Sequence, residues 1–174
     1  LWTYDVGDFE TLLDRALEVA DRDGFAVRRE ASERAGLRRG FGFAFYMEAC
    51  GMGPSKMLKE HGCAAGQYEV GHVRVNPTGT VTVLTGSHTH GQGHETVYAQ
   101  IVADRLGVPF ERVEIVHGDT DRVAYGIGTY GSRSLALGGS ALAMSLDKVI
   151  EKGRKIAAHL LEADAGDVTF ADGR

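Results

Sequence analysis

The chain of 174 residues carries 19 Lys and Arg against 24 Asp and Glu, a formal net charge of −5, with 43% hydrophobic and 25% charged residues. That balance belongs to a folded globular domain with an adequate core rather than to a disordered tract, and the negative charge argues against nucleic acid as a partner. No apolar run approaches the roughly 20 residues that cross a bilayer and no basic-then-apolar leader opens the chain, so no transmembrane segment and a cytoplasmic location are expected.

Asp8 to Asp21 places Leu12, Leu13, Ala16, Leu17, Val19 and Ala20 at helical spacing, with Asp8 as cap and Gly24 beyond the end. The arginine-rich run from Arg28 to Arg39 reads as a solvated connector. Gly40 to Ala49 alternates aromatic with small residues in the manner of a strand, and Gly51-Met-Gly-Pro-Ser55 ends it. The two cysteines, Cys50 and Cys63, form no Cys-x-x-Cys signature and read as free thiols or small buried hydrophobes.

Gln67 to Asn76 and Thr80 to Thr85, joined by Pro77-Thr-Gly79, predict a β-hairpin. Gly86 to Thr96 closes that run and opens a helix over Thr96 to Leu106, which Gly107-Val-Pro109 ends before a strand from Arg112 to His117. Strand, helix and strand make a β-α-β unit. A second glycine-rich turn spans Gly126 to Ser134. From Ser132 to Ala163 the alanine-rich pattern predicts one long helix or two, because Gly138, Gly139 and Gly153 weaken a single rod. The predicted fold is α+β, a mixed sheet with a β-hairpin and a β-α-β unit packed on long helices. Residues 1–39 form an N-terminal helix and connector, and residues 40–174 the binding portion. With no initiating methionine and an end at Asp172-Gly-Arg174 just after the strand-like Asp167-Val-Thr-Phe170, the chain is expected to be part of something larger.

Function is sought in the two glycine turns, because glycine lets the main chain approach a ligand and free N–H groups at a helix start favour anions. Three readings of Gly86-Ser-His-Thr-His-Gly-Gln-Gly-His-Glu-Thr96 remain open. His88, His90 and His94 with Glu95 could hold a metal, although no carboxylate at a spacing that would orient the imidazoles and no His-Glu-x-x-His pattern supports this. The glycines could merely turn a strand into a helix. The turn could hold a phosphate, although Thr96 stands where a nucleotide fingerprint needs its third glycine and no Gly-Lys-Ser/Thr is present. Asp119-Thr-Asp121 reads as a turn former.

Gly91-Gln-Gly-His-Glu-Thr96, Ala99-Gln100, Ala103-Asp-Arg-Leu-Gly107, Val116-His-Gly-Asp-Thr120 and Gly126-Ile-Gly-Thr-Tyr-Gly-Ser-Arg-Ser134 together closely resemble the molybdenum-binding subunits of the xanthine oxidase family. Gly51-Met-Gly-Pro-Ser-Lys56 and Ala157-Ala-His-Leu-Leu-Glu162 fit the same pattern, which is most like the large subunits of aerobic carbon monoxide dehydrogenases.

The resemblance implies a molybdopterin-binding type of domain that holds molybdopterin cytosine dinucleotide with molybdenum. Iron–sulfur clusters and FAD are then expected on partner subunits or other domains. It places Gly91, Gln92 and Gly93 against the pterin, whose heterocycle edge a carboxamide can both donate to and accept from. Gly131, Ser132, Arg133 and Ser134 would face the diphosphate.

The implied activity is oxidation of a small carbon substrate with water-derived oxygen. The family's glutamate base segment and cysteine loop have no match in this sequence, so no catalytic residue and no metal ligand is assigned to this chain. The chain alone is expected to be inactive. The alternatives are hydroxylation of N-heterocycles or aldehydes, or a non-catalytic domain that keeps the scaffold for interaction or assembly.

Overall fold

A computed structural model describes residues 6–48, 50–52, 55–60, 62 and 68–174. Ala49, Gly53, Pro54, Cys63 and Gln67, which bear on the expectations above, lie outside the described residues. The chain divides into two compact units, Leu1–Tyr46 and Met47–Arg174.

In the first unit, α1 (Phe9–Val19) begins where Asp8 accepts the Thr11 N–H at 3.1 Å, the cap expected of an aspartate there. The arginine-rich run is not a connector throughout: α2 spans Phe25–Arg34. Arg29–Glu33 and Glu30–Arg34 are i,i+4 ion pairs at 3.3 Å each, and arginine, glutamate and alanine are good helix formers. Gly36, at φ +72°, ends it as Leu37 N–H donates to Ser32 C=O at 2.8 Å.

Residues 40–48 form no strand, correcting the expectation from their alternation. A strand needs a backbone partner, and the described part of this unit offers only helices. Phe43, Ala44, Phe45 and Tyr46 instead line a hollow of about 350 Å³ with Leu12, Leu13 and Ala16 of α1.

The second unit opens with a 3₁₀ turn at Cys50–Met52, where Cys50 is an exposed free thiol, and the short α3 (Ser55–Glu60). β1 (Gly71–Val75) and β2 (Val81–Thr85) form the expected antiparallel hairpin, with Gly71 opposite Thr85 and Val75 opposite Val81. α4 (His94–Leu106) crosses over to β3 (Val113–Val116), which lies parallel to β2 on its other side, giving the order β1-β2-β3. Gly107, in the left-handed region, caps α4. The long C-terminal helix is α5 (Ser140–Leu161), preceded by a π-helical turn at Ser134–Gly139. Gly138 and Gly139 therefore mark a change of helical pitch, while Gly153 sits inside the regular helix.

The core is one cluster: Val81 and Val83 of β2, Tyr98, Val102 and Leu106 of α4, and Leu142 and Leu146 of α5. The period-2 burial of β2 aims its valines at both helices. Gly71 permits the close approach of α5, since a Cβ there would sit 3.0 Å from the Leu142 main chain, and Ser145 Oγ donates to Gly71 C=O at 2.6 Å. Asp167 to Phe170 is turn and coil rather than strand. Arg154 ties this stretch to α5, donating from Nε to Val168 C=O at 2.7 Å and from Nη2 to Ala165 C=O, just ahead of it, at 2.9 Å.

Candidate functional site

The two glycine turns, forty residues apart in sequence, are pressed together at the carboxyl end of β2. A Cβ on Gly86 would overlap Gly126 Cα, and one on Gly126 would overlap Gly86 Cα, so only glycine fits at this crossing. His88 N–H donates to Thr129 Oγ1 at 2.9 Å, and Thr129 Oγ1 in turn lies 3.0 Å from Ser134 Oγ. From behind, Tyr98 Oη of α4 donates to Ser134 C=O at 2.8 Å. Gly51 N–H reaches Gly131 C=O at 3.1 Å, so the Cys50–Met52 turn also braces the second glycine turn. A cleft of about 420 Å³ lies along the crossing, lined by Gly86, His88, Asp119, Tyr125 and Gly126 among others.

Beyond the crossing, the first turn opens outward. Gly91 (φ +100°) and Gly93 (φ +77°) take conformations that favour glycine, and a Cβ on either would meet nothing within 4 Å. Gln92 between them is exposed, and its Oε1 accepts the His90 N–H. That bond fixes the carboxamide orientation and, among the described residues, leaves its Nε2 donors for a ligand. No side chain caps α4 at Gly93.

In the second turn, Gly131 and Ser132 are exposed, at φ +53° and +48°. A left-handed serine is uncommon and is held here by its neighbours. Arg133 and Ser134 are buried. The Arg133 guanidinium points into the protein: Nη1 donates to Glu69 Oε2 at 2.8 Å and to Gly128 C=O at 2.7 Å, and Nη2 to Tyr68 C=O at 2.6 Å. All seven sequence-assigned residues lie on the two crossed turns, with Gly91, Gln92, Gly131 and Ser132 exposed; the expectation that the Arg133 guanidinium faces a diphosphate is corrected, because it is buried in its bonds to Glu69, Gly128 and Tyr68.

The histidines gather beside the first turn. His88 stacks obliquely on His90 at 5.2 Å and edge-on to His117 at 5.1 Å, and His117 Nε2 lies 2.9 Å from Glu95 Oε1. His117, at the end of β3, was not singled out by the sequence pattern; only the β-α-β crossover brings it here. Gly118 makes room for the His88 ring, since a Cβ there would come within 2.6 Å of it. His94 is buried against Tyr98, and burial, then the charge of His117, push its pKa below the ordinary value. Glu95 is held below the usual carboxylate range by its own backbone N–H and by His117. Ring-to-ring packing dominates this cluster, and among the described residues no group of three or more His, Cys, Asp or Glu is arranged to hold a metal ion. Asp119 accepts the N–H groups of Asp121 and Arg122 at 3.0 and 3.2 Å and so builds its turn at the edge of the cleft.

A second hollow, of about 580 Å³, lies between β1, α5 and the C-terminal segment. Its walls are mostly aliphatic, including Val73, Val75, Val149 and Ile156, with His72, Arg74 and Lys152 as the charged or titratable side chains of its lining.

Residues 15–174 match the family model described as the molybdopterin cofactor-binding domain. The chain belongs to this family. It is 40% identical over 170 residues to the carbon monoxide dehydrogenase large chain of Hydrogenophaga pseudoflava, covering 96% of this chain and 21% of that protein. It is 32% identical over 170 residues to the nicotine 6-hydroxylase large subunit of Paenarthrobacter nicotinovorans, covering 98% and 21%. In three dimensions it is similar to a Cu,Mo carbon monoxide dehydrogenase in its carbon monoxide-reduced state, with a TM-score of 0.65 and 36% identity over 98% of this chain and 22% of the other. It is likewise similar to quinoline 2-oxidoreductase from Pseudomonas putida 86, with a TM-score of 0.64 and 34% identity over 99% and 22%. The chain spans about one fifth of the length of the relatives it matches.

The donor set fits such a group. Exposed N–H groups and a serine hydroxyl on left-handed turns suit a diphosphate. A carboxamide fixed on one side and free on the other suits a heterocycle edge.

Proposed function

We propose that this chain forms one wall of the pocket for molybdopterin cytosine dinucleotide in the large subunit of a molybdenum hydroxylase of the carbon monoxide dehydrogenase type. The observation that carries this reading is the crossing of the two turns in a chain of the molybdopterin cofactor-binding family, with the faces of Gly91 and Gly93 open and Gln92 and Ser132 exposed. When bound, the cofactor supplies two-electron oxidation of a small carbon substrate with oxygen drawn from water. The residues of this chain bind and orient. Gln92 Nε2 donates to the pterin edge, Gly91 and Gly93 admit its ring to the main chain, and Gly131 with Ser132 offers N–H and hydroxyl donors to the diphosphate. Ser134 and Arg133 hold that turn from within. Iron–sulfur and flavin partners would carry the electrons away, and the catalytic groups would come from the rest of the subunit.

Hydroxylation of an N-heterocycle is the second reading, favoured by similarity to the nicotine hydroxylase and the quinoline oxidoreductase at identities close to those of the carbon monoxide dehydrogenases. The test is metal and nucleotide analysis of the full-length protein. About one molybdenum and one cytidine nucleotide per chain are expected, and Gln92→Ala should lower both several-fold. A full-length, active protein without molybdenum would overturn the proposal, and a guanosine nucleotide would correct the cofactor form.

A further inference from the structure

Glu69 lies in the extended segment Tyr68–Val70 that leads into β1, outside both glycine turns. Its side chain and that of Arg133 are both fully buried, and they pair at 2.8 Å. Taking two charges out of water is costly, and such a pair is seldom better for stability than well-packed apolar residues. Its placement offers another reason for it. Glu69 Oε2 accepts from Arg133 in the second turn, while Oε1 lies against Gly86 in the first, where a Cβ would approach to 2.6 Å. The same segment grips the second turn twice more. Tyr68 C=O accepts from Arg133, and the Tyr68 ring stacks on Tyr125 with centroids 5.2 Å apart and planes 8° from parallel. The hydrogen bond between these tyrosines, more than burial, pushes the Tyr125 hydroxyl up to about 12.

We propose that Glu69 is a positioning residue that sets the spacing between the two turns, and with it the grip of the site on its dinucleotide. This rests on the cofactor reading above. Glu69 itself touches no ligand. Its carboxylate fixes Arg133, and Arg133 fixes the left-handed Gly131-Ser132 pair that precedes it in the turn. Contact with Gly86 makes the first turn follow the second.

The test compares wild-type full-length protein with Glu69→Gln, which keeps the shape and removes the charge. Two readouts are taken: molybdenum and nucleotide content, and amide hydrogen exchange. Expected are a several-fold loss of cofactor and faster exchange in residues 86–91 and 126–132, with the amides of β2 and α5 unchanged. The proposal is overturned by wild-type content with wild-type exchange in both turns. It is also overturned if β2 and α5 loosen as much as the turns, which would make Glu69 a general stability residue, or if cofactor is lost with no change in the turns. Should Glu69→Gln fail to fold, Glu69→Asp keeps the charge, shortens the side chain by one methylene and is read by the same two measurements. A wild-type protein without molybdenum would sink the cofactor reading alone, because the exchange measurement still tests the positioning claim.

Discussion

Gly86 and Gly126 face each other with no room for a methyl group on either. Gly126→Ala would force the turns apart, with an expected cost of about 1–3 kcal/mol in urea unfolding of the second unit. An unchanged midpoint would mean that the turns are free to separate. His94 gives this site a pH dependence. Its folded-state pKa is depressed, so as pH falls the unfolded chain takes up the proton first, near 6.5. Stability present above that value is lost as pH falls through it. Glu95, also depressed, adds a loss of the same sign at lower pH. The melting temperature is therefore expected to fall on acidification from about pH 7.5 to 5.5, and less steeply in His94→Gln. An identical slope in the two proteins would remove His94 from the account. The glycine turn around Gln92 was legible in the sequence, whereas the role proposed for Gln92 came from the family resemblance and not from the turn's own pattern. Glu69 was not legible: its partner lies 64 residues away, and one carboxylate before a strand has no local pattern.

Between elements, Tyr98 ties α4 to the second turn through a single hydroxyl buried beside Ser134. Tyr98→Phe is expected to cost about 1–3 kcal/mol, because the Ser134 carbonyl would stay buried without its donor. Chemical denaturation checks this, and an unchanged stability would show that the carbonyl finds another partner. Leu146 of α5, fully buried in the core, sets a reference: Leu146→Ala should cost about 2–5 kcal/mol by the same assay. The hairpin was legible from two runs rich in valine and threonine joined by Pro77-Thr-Gly79, α4 from apolar residues at helical spacing, and α5 from a long alanine-rich stretch free of proline. α2 was obscured by its charges, which stabilise a helix through pairs that hydropathy does not register. Residues 40–48 and 167–170 carry strand-like composition without a strand. Composition reports suitability for a sheet, whereas a strand also requires a neighbour with which to bond.

On the scale of the whole molecule, the chain spans about one fifth of the length of its relatives, and the proposed function gives it part of a pocket. The purified chain of 174 residues is expected to show no turnover of carbon monoxide or of an N-heterocycle; turnover by that chain would contradict the assignment of the catalytic groups to the rest of the subunit. No described helix is long and apolar enough to cross a membrane. The crossed turns are proposed to form one wall of the cofactor pocket. A crystal structure of the full-length protein, with anomalous data collected at the molybdenum edge, tests this most directly. The expected result is a molybdenum peak with a pterin edge against Gly91–Gly93, hydrogen-bonded to Gln92, and a diphosphate at Gly131–Ser132. A pterin bound elsewhere, with both turns facing only solvent or protein, would contradict it.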